Sequence, residues 1–101
     1  MQRKIAGGSR FFMLTEERPS GIVSVKGNLI EDLYVLPEFQ SRGFGTLLLR
    51  YAVAQCTGIP TLWILENNHR AGKLYLREGF RKTGRRNTVT NGLDEIEYAM
   101  Y

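Results

Sequence analysis

The chain has 101 residues, of which 43% are hydrophobic and 24% charged, and a formal net charge of +4 at pH 7; this balance excludes a disordered chain, and the length predicts a single domain spanning residues 1–101. The single cysteine, Cys56, excludes an internal disulfide and a multi-cysteine metal site, and we expect no bound metal. Because no long apolar run or signal-peptide core occurs, we expect a cytoplasmic protein without membrane contact. The excess of positive charge favours an anionic partner, either a nucleic acid or a phosphorylated cofactor.

Short β-rich runs occupy the first third of the chain. The segments SRFFMLTEE, SGIVSVK and LIEDLYVL are separated by turn signals at Arg18-Pro19 and at Lys26-Gly27-Asn28. They predict three strands in a meander, and Pro37 ends the third strand.

Apolar residues then recur at helical spacing, which predicts a helix of about four turns closed by Gly58 and Pro60. The run TLWIL that follows is continuous and apolar, and we expect it to be a strand buried on both faces that the helix delivers as a right-handed crossover. The apolar positions of the predicted helix are Leu47, Leu48, Tyr51, Ala52 and Ala54.

A second helix is predicted after the TLWIL strand. Asn67 or Asn68 can cap its start, and Gly79 stands where a left-handed C-terminal cap belongs. The segments FRKTGRR and LDEIEYAMY read as two closing strands. The order of elements is therefore β-β-β-α-β-α-β-β, a mixed α/β (α+β) fold.

The segment QSRGFG, residues 40–45, joins the third strand to the first helix. Its two glycines leave backbone N–H groups uncovered, and the helix adds its own unpaired N-terminal donors and partial positive charge. Such a turn can bind an anion, and Arg42 adds a permanent cation. The alternative is a tight connection that needs small residues. The segment is neither a P-loop nor a dinucleotide fingerprint, because no G-K-[ST] and no third glycine follow.

Two stretches together resemble a known family. LYVLPEFQSRGFGTLLL is similar to the acyl-CoA-binding motif of the GNAT superfamily of N-acetyltransferases, Q/R-x-x-G-x-G/A after a strand that ends in V-x-P. NHRAGKLYLREGF resembles the second signature of that superfamily, N-x-x-A-x-x-L-Y-x-x-x-G-F. The resemblance covers about residues 10–101. It implies a GNAT-like mixed, mostly antiparallel sheet with a splayed parallel strand pair and two flanking helices.

The resemblance implies an acetyl-CoA-dependent N-acetyltransferase that moves an acetyl group to a primary amine of a small molecule or peptide by direct attack in a ternary complex. Backbone N–H groups of residues 40–46 would hold the pyrophosphate of coenzyme A, and the strand edge at residues 33–35 would pair with its pantetheine arm. The Leu33 N–H would face the thioester carbonyl, and Asn68 would reach the pantetheine or serve only as a helix cap. The implied cofactor-binding residues are Leu33, Tyr34, Val35, Gln40, Ser41, Arg42, Gly43, Phe44, Gly45, Thr46 and Asn68.

Amine acetylation needs a base for the amine and an acid for the departing thiolate. Tyr75 occupies the position of the acid in the resembling motif; its other interpretation is a core aromatic with a wet hydroxyl. For the base, strand alternation places Glu31 on the face of Leu33 and Val35, with Asp32 on the opposite face. A water chain can replace this base.

The chain departs from the family at its start, because GNAT domains normally begin with a strand and two helices that form a wall of the acceptor site. A small member, a fragment and a protomer completed by a partner all stay open. The last of these predicts a homodimer through apolar residues such as Phe11, Met13 and Ile22.

Two other functions remain open at this point. The chain could be a non-catalytic module that binds or senses acyl-CoA. It could also be a basic nucleic-acid-binding module acting through FRKTGRRN, although the sequence has no recognition-helix or RNP-type motif, so we do not expect a nucleic-acid partner.

Overall fold

The computed structural model describes residues 2–101, and side-chain environments from residue 7 onward. The chain divides into two compact units, Met1–Gly58 and Ile59–Tyr101. Whether they make up one functional domain stays a prediction. The elements in chain order are β1 (Gln2–Ala6), β2 (Ser9–Thr15), β3 (Pro19–Lys26), β4 (Leu29–Val35), a 3-10 turn (Pro37–Phe39), α1 (Phe44–Gln55), β5 (Thr61–Leu65), α2 (His69–Arg77), β6 (Arg81–Thr90) and β7 (Leu93–Ala99).

The first unit contains an antiparallel meander of four strands, β1 to β4, where the sequence predicted three. The additional strand is β1, which pairs with β2 from Ala6 opposite Ser9 to Gln2 opposite Met13. Gly7 and Gly8 form the two-residue connection with φ angles of 58° and 83°. A hairpin turn with positive φ at both central residues matches strand twist, and Gly-Gly is a recognised signal for it. The three-strand prediction was therefore wrong by one strand.

Helix α1 covers one face of this meander. Val23, Leu48 and Leu49 are fully buried, with 0% of their surface exposed. A Cβ built on Gly21 would lie 2.7 Å from Leu48 Cδ1 and 3.0 Å from the Tyr34 carbonyl oxygen, so a side chain there would force the buried Leu48 side chain to shift. Leu47, one of the apolar positions predicted to share a face of the helix, is 49% exposed. The buried face of α1 consists instead of Leu48, Leu49 and Ala52.

The second unit consists of β5, α2, β6 and β7. Its strands follow the order β5-β7-β6, and both pairs are antiparallel. Of the β5 residues, only Leu62 is buried, while Leu65 is 39% exposed. The expectation that TLWIL is buried on both faces was wrong. An apolar run of five residues does not reveal how much of a strand is covered.

Both ends of α2 follow the sequence signals. The Asn68 side chain accepts a hydrogen bond from the Ala71 N–H at 3.2 Å, which identifies Asn68 as the N-cap. At the other end, Gly79 has φ of 101°, and the Phe80 N–H donates to the Tyr75 carbonyl at 2.9 Å. This bond, together with that from the Gly79 N–H to the Leu76 carbonyl, forms a Schellman cap. The predicted glycine cap is confirmed.

The structure also bears on membranes and metals. Among residues 2–101, no helix is long and apolar enough to cross a membrane. No group of three or more His, Cys, Asp or Glu side chains in this described part of the chain is arranged to hold a metal ion. Cys56 caps the C-terminus of α1 and is half-buried.

Candidate functional site

The segment between β4 and α1 is fixed at both of its ends. The Leu36 N–H donates to the Ser20 carbonyl at 2.9 Å, which ties the end of β4 to β3. Gln40 reaches back, and its Nε2 donates to the Val35 carbonyl at 3.0 Å. The side chain of Gln40 therefore holds the loop against the strand that precedes it.

Two residues of this loop adopt left-handed backbone conformations. Ser41 has φ of 64° and is the single non-glycine residue with positive φ in the described chain, while Gly43 has φ of 82° and ψ of 3°. A change in the sign of φ between successive residues is the backbone pattern of anion-binding concavities. A Cβ on Gly43 would meet nothing within 4 Å, so conformation rather than lack of space favours glycine there.

The N-terminus of α1 has no side-chain cap. Gly43 is the N-cap residue, so the cap position has no side chain that could accept a hydrogen bond from the first turn, and that turn contains no acidic residue. The Leu47 N–H donates to the Gly43 carbonyl at 3.1 Å, which is the first bond of the helix. The N–H groups of Phe44, Gly45 and Thr46 consequently have no acceptor within the helix. Three donors and the positive end of the helix dipole are available to an anion.

The donor run is shorter than the sequence suggested. The prediction began it at Gln40, whose N–H instead donates to the Pro37 carbonyl at 3.2 Å. The 3-10 turn over Pro37–Phe39 takes up this group. In this conformation the backbone N–H of Gln40 is therefore unavailable to a pyrophosphate, and its side chain positions the loop.

Two arginines flank an aromatic ring beside the loop. The guanidinium carbons of Arg42 and Arg18 lie 5.5 Å and 5.2 Å from the centroid of Phe39. Arg18 also forms a 2.6 Å ion pair with Glu38. A backbone hydrogen bond and the Arg18 guanidinium lower the pKa of Glu38 below its ordinary value. Arg18 was missed in the sequence because it lies in the β2–β3 connection, far from either motif.

Strand β4 turns one row of its backbone groups away from β3. In an antiparallel pair these groups point alternately toward and away from the partner strand. Since the Leu36 N–H points toward β3, the groups of Leu33 and Val35 point away from it. The bond from Gln40 to the Val35 carbonyl agrees with this direction. The side chain of Tyr34 is 52% exposed.

The position of Glu31 does not follow from strand alternation. Val25 pairs with Ile30 and Ser24 with Asp32, so Glu31 is the extra residue of a β-bulge. Ile30 and Leu33 consequently face the same side although three positions separate them. The side chain of Asp32 accepts a hydrogen bond from Ser24 Oγ at 3.1 Å, and Glu31 is exposed. The alternation argument that selected Glu31 does not apply across a bulge, and its role as a base stays a prediction.

The remaining predicted residues, Asn68 and Tyr75, belong to α2 in the second unit. Tyr75 is 8% exposed, and its ring centroid lies 5.9 Å from that of Phe80 and 6.0 Å from that of Tyr98. Burial raises the pKa of Tyr75 above its ordinary value of 10.0. The hydroxyl therefore keeps its proton at neutral pH, as a proton donor must. Asn68 has the cap role described above, and its contact with a pantetheine stays a prediction.

The basic segment FRKTGRRN does not form an unpaired stripe of charge. Arg86 forms ion pairs with Glu66 and Asp94, the latter at 3.0 Å. Arg85 lies 3.4 Å from Glu97. Carboxylates of the same unit thus compensate two cations of the segment, which weakens its attraction for a polyanion.

Comparison with known proteins agrees with the motifs. A family model described as an acetyltransferase (GNAT) domain matches residues 4–82. The chain is 29% identical over 70 residues to the peptidyl-lysine N-acetyltransferase YjaB of Salmonella typhimurium, which covers 69% of this chain and 48% of that protein. An uncharacterized N-acetyltransferase of Archaeoglobus fulgidus is 35% identical over 57 residues, which covers 52% of this chain and 39% of the relative. The chain spans about half the length or less of these curated relatives.

The fold comparison agrees with the predicted architecture. A putative streptothricin acetyltransferase of Bacillus anthracis, solved in complex with acetyl coenzyme A, has a TM-score of 0.77 at 19% identity, with 95% of this chain and 64% of that chain covered. This likeness confirms the predicted GNAT-like fold class, mixed α/β with a mostly antiparallel sheet. Because the family model matches well over half of the chain, the chain belongs to the GNAT acetyltransferase domain family.

Proposed function

We propose that the protein is an acetyl-CoA-dependent N-acetyltransferase that acetylates a primary amine of a small molecule or peptide by direct attack in a ternary complex. The observation that carries this proposal is the uncapped start of α1, with Gly43 as its N-cap and no acidic residue in its first turn, in a chain of the GNAT family. A helix N-terminus without a side-chain cap is suited to binding a phosphate. The cofactor proposed for it is acetyl coenzyme A.

The pyrophosphate of the cofactor fits the loop by the chemistry of its donors. The N–H groups of Phe44, Gly45 and Thr46 have no acceptor within the helix, and Arg42 adds a full positive charge beside them. Hydrogen bonds to a charged partner contribute about 1.5–3 kcal/mol each. Since Gly43 has no side chain and its surroundings are open, the backbone can approach an anion closely.

The edge of β4 provides the proposed contact with the pantetheine arm. Backbone groups of Leu33 and Val35 point away from β3, which is the direction needed to pair with an added extended segment. The cofactor supplies the acetyl thioester. The Leu33 N–H would donate to its carbonyl oxygen, a position at which a fixed donor stabilises developing negative charge. Tyr34 would contribute backbone groups to the same edge.

Tyr75 is the proposed general acid. Packing against Phe80 and Tyr98 holds its ring, and burial keeps its hydroxyl protonated at neutral pH. It can therefore donate a proton to the thiolate that leaves. Glu31 is the proposed base, and its exposure on the β4 bulge leaves its carboxylate accessible to solvent and to an incoming amine.

We also propose a cytoplasmic homodimer in which residues 1–101 act as one domain. Within the first unit, α1 packs on one face of the meander, while Phe11, Met13 and Ile22 are half-buried and Tyr34 is 52% exposed. The register places Met13 opposite Ile22 and Ile22 opposite Tyr34, so these side chains share a face. An apolar face of this kind commonly becomes an interface between copies of a chain.

A screen of amines tests the proposal. Monoamines, polyamines, amino acids and short peptides are incubated with acetyl-CoA and the protein, and release of free thiol is followed together with the mass of the product. We expect transfer to at least one primary amine. Calorimetric binding of acetyl-CoA without transfer to any acceptor would instead support an acyl-CoA sensor, and the absence of binding would refute both.

A further inference from the structure

Strand β6 contains a large irregularity opposite a single residue of β7. Lys82 pairs with Tyr98 and Arg86 with Ile96, so Thr83, Gly84 and Arg85 all stand opposite Glu97. Gly84 makes this possible with a left-handed φ of 95°. Bulges redirect side chains and are frequent beside functional sites. The family match ends at residue 82, so this bulge is a feature outside the matched segment.

The bulge directs two side chains onto the Glu97 carboxylate. Thr83 Oγ1 donates to Glu97 Oε1 at 2.8 Å, and Arg85 Nη1 donates to Glu97 Oε2 at 3.4 Å. Glu97 is 7% exposed, while the Arg85 side chain is 73% exposed. A buried carboxylate therefore depends on a long bond to a mostly solvated cation, and such a partner can be exchanged readily.

An aromatic ring completes the cluster. Trp63 on β5 lies directly opposite Glu97 in the β5–β7 ladder, and directly opposed residues project to the same face. The guanidinium carbon of Arg85 lies 5.6 Å from the centroid of the Trp63 ring. A carboxylate beside a tryptophan face is a combination that binds organic cations. In this structure the cation that lies against the Trp63 ring and the Glu97 carboxylate is Arg85 of the same chain.

We propose that Trp63, Thr83 and Glu97 form a binding site for an alkylammonium group, and that Arg85 occupies this site until a ligand ammonium displaces it. The ligand ammonium would contact the Trp63 face and Glu97 Oε2, while the Thr83 hydroxyl continues to hold Oε1. Arg85 can leave at little expense because its side chain is already mostly in water. The role in catalysis rests on the proposed function: the acceptor would be a diamine or a similar amine with a second ammonium that stays charged and anchors it here.

The chain offers a direct reporter and a matched control. Trp63 is the only tryptophan in the sequence, so intrinsic tryptophan fluorescence reports on this site alone. Arg86 is the adjacent arginine on β6, and it pairs with Glu66 and Asp94 instead of Glu97. Arg86→Ala removes the same charge from the protein as Arg85→Ala does, but it leaves the Trp63–Glu97 cluster intact.

The experiment titrates 1,5-diaminopentane into the wild-type protein without acetyl-CoA, with 1,5-pentanediol as the uncharged ligand. The amine, and not the diol, is expected to change Trp63 emission. Arg85→Ala should tighten amine binding by roughly 5- to 20-fold because the internal competitor is gone, and Glu97→Gln should weaken it by at least about tenfold. Arg86→Ala should match the wild type. Circular dichroism and melting curves verify folding, and Arg85→Ala alone suffices if Glu97→Gln does not fold.

Opposite effects of Arg85→Ala and Glu97→Gln on amine affinity distinguish a ligand site from a structural salt bridge. If the pair were only structural, its loss would change amine affinity in the same direction in both variants. If Arg85→Ala binds 1,5-diaminopentane no more tightly than the wild type does, the proposed site is refuted, whatever the result with acetyl-CoA. Amine binding without acetyl transfer would sustain the site and refute the proposed function. If transfer occurs, the anchoring role predicts a lower KM for 1,5-diaminopentane than for pentylamine; equal values, or a difference that survives in Glu97→Gln, would exclude that role.

Discussion

Gly43 is the position in the loop between β4 and α1 at which the effects of charge and of backbone conformation on cofactor binding can be measured separately. Its φ of 82° is one that Asn and Asp tolerate better than other residues with a side chain, and a Cβ there meets no atom within 4 Å. Gly43→Asn and Gly43→Asp therefore introduce nearly the same shape and backbone strain. They differ by one negative charge at the start of α1. Comparison of the two variants isolates the electrostatic contribution to cofactor binding.

The two variants should rank in opposite orders for stability and for affinity. A carboxylate at a helix N-terminus stabilises the helix by about 0.3–1 kcal/mol, so the Asp variant should melt no lower than the Asn variant. The same carboxylate would take up the open N–H groups of Gly45 or Thr46 and repel a pyrophosphate. At about 5 Å the repulsion amounts to roughly 1–3 kcal/mol for an effective dielectric constant between 80 and 20. Because Gly43 is exposed, we expect an affinity loss of roughly 10- to 100-fold relative to Asn.

Isothermal calorimetry with acetyl-CoA measures the difference, and thermal melting of the free proteins measures stability. The gap in affinity should narrow as ionic strength rises from about 0.05 to 0.5 M, because screening weakens exposed charge interactions. The reasoning fails if the Asp variant binds acetyl-CoA within threefold of the Asn variant at low salt. It also fails if the gap is independent of salt.

Four further outcomes are expected. Tyr75→Phe should lower turnover by about 10²–10⁴-fold at nearly unchanged acetyl-CoA affinity and melting temperature; normal turnover by this variant would make Tyr75 structural. Burial raises the pKa of Tyr75, so the folding stability linked to its neutral form is fully present below about pH 10 and is lost at more alkaline pH. The melting temperature of Tyr75→Phe should therefore fall less at alkaline pH than that of the wild type. Asn68→Ser keeps an uncharged oxygen acceptor for the Ala71 N–H and should preserve stability. Weaker acetyl-CoA binding by this variant, measured by calorimetry, would reveal a cofactor contact of the amide, and unchanged affinity would exclude one. Sedimentation at micromolar concentration should show a dimer, against which a stable monomer would count.

Local signals determined much of the fold. The caps of α2 were readable because Asn68 and Gly79 act on backbone groups within a few residues, as hydrogen bonds to Ala71 and across the Schellman motif show. The glycine pair at 43 and 45 likewise indicated an open helix start from the sequence alone. The Gly7-Gly8 turn carried an equally local signal for β1, and the strand was missed because residues 2–6 lack an apolar alternation to accompany it.

Tertiary structure alone decided which residues face one another. The bulges at Glu31 and at residues 83–85 depend on the register between neighbouring strands. The single residue added at Glu31 reverses the alternation on which the sequence argument for that residue relied. The burial of Glu97 beside Trp63, and the approach of Arg18 to Phe39, join residues far apart in the chain. Sequence patterns describe what each segment can form by itself. The energy of these contacts arises between segments, so only the folded chain shows that Arg85 lies against both Trp63 and Glu97.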